Sequence, residues 1–245
     1  MTPDRLSQAV LRSARELGFA DVPERAGLRP RGVREWGTGI AMRLAGPAGM
    51  TGAEAAARLR ERLVVQAGVR DVEVVGGGFL NIRLAEGADA ELLRELLARP
   101  RPAALPEDPA RDAERWAAAG GAGGALLVQR DENPLFRVRY AHARSRALER
   151  GARALGVPPE PGAAALETAQ ERALLAALGE QVWSAGRLVR VADAFLETER
   201  VRSALPVGDE KPGAAHRARL ALAQAAGAVL AGGLLRLGIS APDHV

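Results

Sequence analysis

The 245-residue chain has no cysteine, which excludes a disulfide scaffold, a thiolate nucleophile and any zinc or iron–sulfur site held by sulfur. Its three histidines, His142, His216 and His244, are too widely spaced to predict a histidine-based metal site. Aromatics make up only 3% of residues, so each exposed ring is a candidate for function. Lys211 is the only lysine. The remaining cationic charge is guanidinium, a planar donor fork suited to phosphates and to stacking on bases. No apolar run reaches the roughly 18–20 residues that span a bilayer. The opening stretch, MTPDRLSQAVLRSARELG, is charged and amphipathic and has no apolar signal-peptide segment. These absences predict a cytoplasmic protein with no membrane partner, no metal and no cofactor.

What is present is a globular composition: 47% hydrophobic and 26% charged, enough apolar material for one large domain or two small ones. The net charge of +4 is too mild to diagnose a nucleic-acid partner, but its distribution is uneven. Six arginines and one acid, Glu149, lie between Arg137 and Arg153, a local excess of +5 in 17 residues.

The pattern along the chain predicts an α+β protein, with a small N-terminal α/β domain over residues 1–98 followed by an all-α helical bundle over 125–245. Leu6, Val10, Ala14 and Leu17 set a first helix, followed by a Pro/Gly/Arg-rich loop over 22–35. Ile40, Met42 and Leu44 alternate as in a strand. Thr51, with Glu54 three residues on, has the form of a capping box for a helix over 52–67. Two β runs, VEVV and FLNIRL, are joined by Gly76-Gly77-Gly78, and a leucine-rich helix closes the domain. The proline, charge and glycine content of 99–124 reads as a linker. Beyond it, helices are predicted near 134–156, 164–178, 180–204 and 213–237, with Gly238 placed to end the last.

Two places carry candidate chemistry. In FLNIRL, period-two geometry puts Leu80, Ile82 and Leu84 on one face and Phe79, Asn81 and Arg83 on the other. Pointing outward together, ring, amide and guanidinium would stack on an unpaired base, bond its edge and neutralise a phosphate. The alternative packs Phe79 beneath a helix and leaves Arg83 as a solvated charge. On the helix over 133–156, Arg139, Arg146, Arg150 and Arg153 form one stripe, either an RNA-backbone track or a solvated face. Tyr140, Ala141, Ala147, Leu148 and Leu155 form the opposite, apolar face. Arg144 falls within that apolar face and reads as a structural residue paired with a carboxylate, since burying it unpaired would be costly. His142 likewise reads as structural, with no neighbouring nucleophile or acid to form a relay. Gly76-Gly77-Gly78 lacks a phosphate-loop pattern and precedes a strand, so it reads as a turn. Glu197/Glu199 and Asp209/Glu210 have no arrangement for acid–base work. No catalytic residue is assigned.

Three stretches, in order, resemble arginyl-tRNA synthetase. MRLAG…GVRDVEVVGGGFLNIRLAEG is similar to the end of that family's N-terminal additional domain, with its Val-Glu-Val-x-Gly-x-Gly-Phe-Leu-Asn signature. ENPLFRVRYAHARSRAL resembles the Tyr-Ala-His-Ala-Arg helix that opens its DALR-type anticodon-binding domain. The close, ADAFLETERVRSALPVGDE…ARLALAQAAGAVLAGGLLRLGISAPDHV, resembles the end of the same domain. The resemblance implies that Phe79 and Asn81 hold an unpaired D-loop nucleotide of tRNA, and that Tyr140 to Arg144 help build an anticodon-loop surface. The sequence also departs from the family. Only about 45 residues separate Leu84 from Gln129, too few for a catalytic Rossmann domain of roughly 100 residues or more. The His-Ile-Gly-His and Lys-Met-Ser-Lys-Ser signatures have no counterpart. Thr198-Glu199-Arg200 stands where the family has Phe-Tyr-Asn, replacing an anticodon-side aromatic with a carboxylate.

The expectation is therefore a non-catalytic tRNA-binding protein that grips the D-loop and anticodon arm and presents tRNA to another enzyme. Arginine isoacceptors and a tRNA-dependent or tRNA-modifying enzyme are the partners in view. Two alternatives stand beside it: an interaction scaffold that kept the fold and lost tRNA, and the tRNA-binding half of a split synthetase.

Overall fold

The structure, a computed structural model, describes residues 1–101, 103–121 and 127–245. It is mixed α+β, with an antiparallel sheet and helices first and helices thereafter. Two compact units divide the chain: Met1–Leu92 with Gly179–Gln181, and Leu93–Leu178 with Val182–Val245.

In the first unit, α1 (Pro3–Glu16) starts where Thr2 accepts a hydrogen bond from Arg5 N at 3.4 Å and Pro3 supplies the pre-set first turn. Leu6, Val10 and Ala14 form its buried stripe. Strands β1 (Arg29–Gly32), β2 (Glu35–Thr38), β3 (Val69–Val75) and β4 (Phe79–Leu84) pair antiparallel in the order β1-β2-β4-β3. The segment expected as a loop over 22–35 therefore contains β1 and the first residue of β2. Arg-Pro-Arg-Gly has no alternating pattern to betray a strand. Its conformation comes from pairing with β2, whose Trp36 is buried opposite Ile82 of β4.

The strand expected around Ile40, Met42 and Leu44 is instead helix α2 (Ile40–Ala45). A strand would put those three side chains on one face. Here Ile40, Ala41, Leu44 and Ala45 are buried and Met42 is exposed, the spacing of a helical face. Helix α3 (Gly52–Leu63) opens with the expected capping box: Thr51 Oγ1 accepts from Glu54 N at 3.2 Å and Glu54 accepts from Thr51 N at 2.7 Å. It packs its Ala55, Ala56, Leu59 and Leu63 against the inner face of the sheet. Helix α4 (Ala88–Leu97) follows, and the division between units falls within it, at Leu92, rather than at residue 98.

The stretch read as a linker, 99–124, holds helix α5 (Pro109–Ala118), capped by Asp108. Trp116 and Asp112 on this helix are fully buried, which a solvated linker would not allow. Residue 102 and residues 122–126, including the expected end of the linker and the start of the bundle at 125, lie outside the described residues. Next come α6 (Pro134–Ala154), α7 (Ala169–Gly179), α8 (Ala185–Val201) and α9 (Ala214–Arg236). Arg187, itself buried, donates to Leu178 O at 2.9 Å and thereby satisfies a carbonyl in the last turn of α7.

Helix α9 is long and apolar enough to cross a membrane by length and composition, which a search for uninterrupted apolar runs misses because Arg219 and Gln224 interrupt it. Two thirds of that window is buried within the protein. Its seam of Leu220, Ala223, Leu230 and Leu234 packs among α6 and α8. The helices approach closely at glycines: a Cβ on Gly227 would overlap Ser145 Oγ of α6, and one on Gly233 would overlap Leu188 of α8. Gly238, at φ +71°, ends the helix as its position predicts.

Candidate nucleic-acid interface

Strand β4 divides its side chains as the alternation requires. Leu80, Ile82 and Leu84 are buried, while Phe79 (40% exposed), Asn81 and Arg83 face outward. The ring of Phe79 lies beside Gly39 and Met42; a Cβ at Gly39 would come within 3.0 Å of Phe79 Cε1 and 3.2 Å of Met42 Cε. Met42 is itself exposed, so ring and thioether form a small apolar platform that the sequence reading, with Met42 in a strand, did not assemble. Gly76-Gly77-Gly78 forms the turn between β3 and β4, with φ +56° at Gly76 and +127° at Gly78. A Cβ at Gly78 would overlap the backbone of Gly52, so glycine is needed there for both reasons.

The charges on this face are not those the β4 sequence alone presents. Arg83 Nη2 pairs with Glu35 Oε2 at 3.1 Å, and Asp71 stands opposite it on β3. Asn81 has Glu73 on one side and Gly37 on the other. Arg83 is thus a neutralised cation, and the open side of Asn81 is toward Gly37 and β1.

Helix α6 begins at Asn133, whose Oδ1 accepts from Leu135 N at 3.0 Å and Phe136 N at 3.3 Å, with Pro134 in its first turn. Its buried seam runs through Leu135, Val138, Ala141, His142, Ser145, Leu148 and Ala152. Tyr140 is 42% exposed and stacks on Phe136, with centroids 5.9 Å apart, and Leu155 is also exposed. Neither belongs to a buried face, contrary to the wheel, because neighbouring helices cover a narrower arc than the wheel's apolar half. Arg144 is likewise exposed rather than buried. Its nearest carboxylate is Glu199 Oε2 at 3.8 Å.

The arginines expected to form an open stripe differ from one another. Arg139 bonds Glu107 Oε2 and Ser240 Oγ, each at 3.1 Å, and its Nε is buried without a partner. Arg146 bonds Asp243 Oδ1 at 3.0 Å and also pairs with Glu149. Glu149 additionally receives Arg153 at 3.1 Å and Arg101 at 2.8 Å. Arg137 pairs with Asp193. Arg150 makes no ion pair with a described residue. The local excess of +5 is therefore largely answered by carboxylates from other segments of the same unit.

Those contacts hold a C-terminal strap against α5 and α6. Buried Asp112 accepts from Ser240 N at 3.2 Å and Ser240 Oγ at 2.5 Å, and Arg115 donates to Gly238 O at 3.2 Å. His142 is buried, and its Nδ1 lies 2.9 Å from Pro242 O, so a neutral ring donates Nδ1–H to that carbonyl. Burial holds its pKa below the usual histidine range, with the Pro242 carbonyl and Asp243 pulling the other way. Burial disfavours the charged form of Asp243, but its hydrogen bond to Arg146 and that residue's charge outweigh this and lower its pKa.

Beside α8, Leu174, Phe195, Thr198, Glu199, Arg202, Ala204, Arg219, Leu222 and Ala223 line a small depression. Glu199 is largely buried in its wall, and its Oε2 has no hydrogen-bond partner. Among the described residues, no group of three or more His, Asp or Glu side chains is arranged to hold a metal ion.

In comparison with known proteins, residues 7–84 match the family described as the arginyl tRNA synthetase N terminal domain. The matched segment runs from within α1 to the last residue of β4 and so includes Phe79, Asn81 and Arg83. No solved structure matches the chain. The N-terminal part of this protein is thus an arginyl-tRNA-synthetase-like N-terminal domain.

Proposed function

We propose that this chain is a non-catalytic tRNA-binding protein related to arginyl-tRNA synthetase, in which the outer sheet face holds an unpaired D-loop nucleotide and the helical unit approaches the anticodon arm. The observation that carries the reading is exposed Phe79 with half-buried Asn81 beside it, at the end of the segment matched to the synthetase N-terminal family. An exposed ring on a rigid central strand, next to an amide, is the arrangement that stacks and edge-reads a flipped-out base. The non-catalytic part of the proposal rests on the missing His-Ile-Gly-His and Lys-Met-Ser-Lys-Ser signatures, whose cationic groups would be needed against ATP phosphates. The anticodon part rests on the Tyr-Ala-His-Ala-Arg helix, where exposed Tyr140 and Arg150, which makes no ion pair with a described residue, are the better-placed contacts. His142 and Arg139 are structural in this reading.

Titration of the purified chain with total tRNA at two salt concentrations, with sequencing of the bound species, tests the proposal. Submicromolar, salt-sensitive binding is the expected result, and Phe79→Ala is expected to weaken it by about 1–3 kcal/mol. Enrichment of arginine isoacceptors would show that anticodon reading is retained with Glu199 in place. Absence of binding at low salt would overturn the proposal. The second reading, a protein-interaction scaffold, is favoured by the self-neutralised arginines of α6. Its mark is a nuclease-resistant complex with a protein partner.

A further inference from the structure

The cation that serves the Phe79–Asn81 site is not the one beside them in sequence. Arg83, two residues after Asn81, is held by Glu35 at 3.1 Å and faces Asp71 across the ladder. Arg31, from the segment that the sequence presents as a loop, lies on the same outer face by a different route. The register of β1 against β2 shifts between Pro30 and Gly32, leaving Arg31 as the irregular residue of that pairing. Such a shift re-aims a side chain without breaking the sheet. Arg31 is aimed across Gly37: a Cβ at 37 would stand 2.9 Å from Arg31 Nε, 3.0 Å from Arg31 Cγ and 3.3 Å from Asn81 Oδ1.

Two consequences follow from those distances. Arg31 and Asn81 are close neighbours across the one position of β2 that has no side chain. The guanidinium is exposed and makes no ion pair with a described residue, so its charge is available, unlike that of Arg83.

We infer that Arg31 is the phosphate- and edge-binding cation of the Phe79–Asn81 site, and that Gly37 is glycine because the Arg31 side chain crosses its backbone to reach Asn81. This rests on the reading of the sheet face as a nucleotide site and names the residues that complete it. The parts are complementary. Phe79 with Met42 offers an apolar platform for a base, Asn81 offers one donor group and one acceptor for its edge, and Arg31 offers planar donors for a base carbonyl or the adjoining phosphate. Glu73 and Asp71, opposite Asn81 and Arg83 on β3, repel phosphate from that side. The backbone of the bound nucleotide therefore leaves toward β1.

The test is binding of a fluorescently labelled arginine tRNA transcript to the full-length chain and to Phe79→Ala, Arg31→Ala, Arg83→Ala and Gly37→Ala variants, at several salt concentrations. Each variant is first checked by circular dichroism and thermal melting. Arg31→Ala is expected to weaken binding about three- to tenfold at low salt and to reduce the slope of log K against log salt by about 0.7, the value for one contact to a single-stranded phosphate. Arg83→Ala is expected to change affinity less than twofold. Gly37→Ala, whose Cβ displaces Arg31 from beside Asn81 without altering the net charge, is expected to weaken binding several-fold. If Phe79→Ala weakens binding while Arg31→Ala and Arg83→Ala behave alike, the assignment of Arg31 fails and the sheet-face reading stands. If Gly37→Ala binds like the parent, the role given to the path of Arg31 across Gly37 is wrong. If Phe79→Ala is also without effect, the sheet-face reading fails and this inference fails with it.

Discussion

Gly227 allows a close crossing of α6 and α9, and replacing it with alanine gives a calculable outcome. A Cβ at this position would overlap Ser145 Oγ and stand 2.9 Å from Ser145 Cβ, against the roughly 3.5–4.0 Å of an unstrained carbon contact. Ser145 is buried and fixed, since its hydroxyl donates to Ala223 O at 2.9 Å. Relief requires rotating the hydroxyl away, breaking that bond, or separating two long helices. Overpacking of this kind costs about 1–3 kcal/mol, and losing the hydrogen bond adds about 0.5–1.5 kcal/mol. Against this, glycine to alanine within a helix gains about 0.5–1 kcal/mol. The net expectation is a loss of about 1–3 kcal/mol, or a fall in Tm of several degrees at about 2–4 °C per kcal/mol for a chain of this size. The decisive measurement is a double-mutant cycle in thermal or urea melts. Ser145→Ala removes the overlapping atom, so Gly227→Ala should cost at least 1 kcal/mol less in that background than alone. Additive effects, or a stabilising Gly227→Ala, would refute the close crossing.

Three further outcomes follow from contacts elsewhere. Trp116→Ala empties a fully buried site in the segment that resembles a linker and should cost about 3–5 kcal/mol in a melt; a change under 1 kcal/mol would mean α5 is not docked. Because the folded-state pKa of His142 is lowered, the unfolded chain takes up its proton first. Stability should therefore be complete above about pH 6.5 and fall as the pH drops below that value toward the folded pKa. His142→Asn, which keeps a donor for Pro242 O, should flatten the Tm profile below about pH 6.5, and an unchanged profile would place the acid sensitivity elsewhere. Arg139→Ala should lower stability by about 1–2 kcal/mol through loss of the Ser240 and Glu107 bonds, whereas a neutral effect would show the strap to be indifferent to it.

How much of this was legible in the sequence depends on how local the cause is. The Thr51–Glu54 box, the Asn133-Pro134 start of α6, the Gly238 stop and the two faces of β4 are set by residues within a few positions of one another, and all can be read directly. Strand β1 cannot be read this way, because its four residues lack alternation and owe their conformation to β2. Helix α2 is too short for a periodicity of three or four residues to be told from one of two when its apolar positions are Ile40, Met42 and Leu44. The candidate sites divide on the same principle. A helical wheel for α6 can align Arg139, Arg146, Arg150 and Arg153, but it contains no information about Glu107 or Asp243, which are 32 and 97 positions from the arginines they bind. Arg31 is hidden for a related reason: its approach to Asn81 depends on strand order and on a register shift.

That distinction changes what salt dependence the protein should show with tRNA. Counting charge along α6 gives an excess of +5, and if each of those charges released a counterion the slope of log K against log salt would be about −4. In the folded chain Arg137, Arg139, Arg146 and Arg153 already face carboxylates, and a phosphate could engage them only by displacing Asp193, Glu107, Asp243 or Glu149. Displacement exchanges one anion for another and releases little. Of the arginines assigned to the interface, Arg150 and Arg31 make no ion pair with a described residue, so the expected slope for two contacts is about −1.4 to −1.8. Arg150→Ala should then remove nearly half of it without lowering Tm, while Arg146→Ala should lower Tm and leave the slope nearly unchanged. A measured slope near −4 would contradict this, and would mean that tRNA opens the ion pairs of the strap and uses the whole arginine stripe.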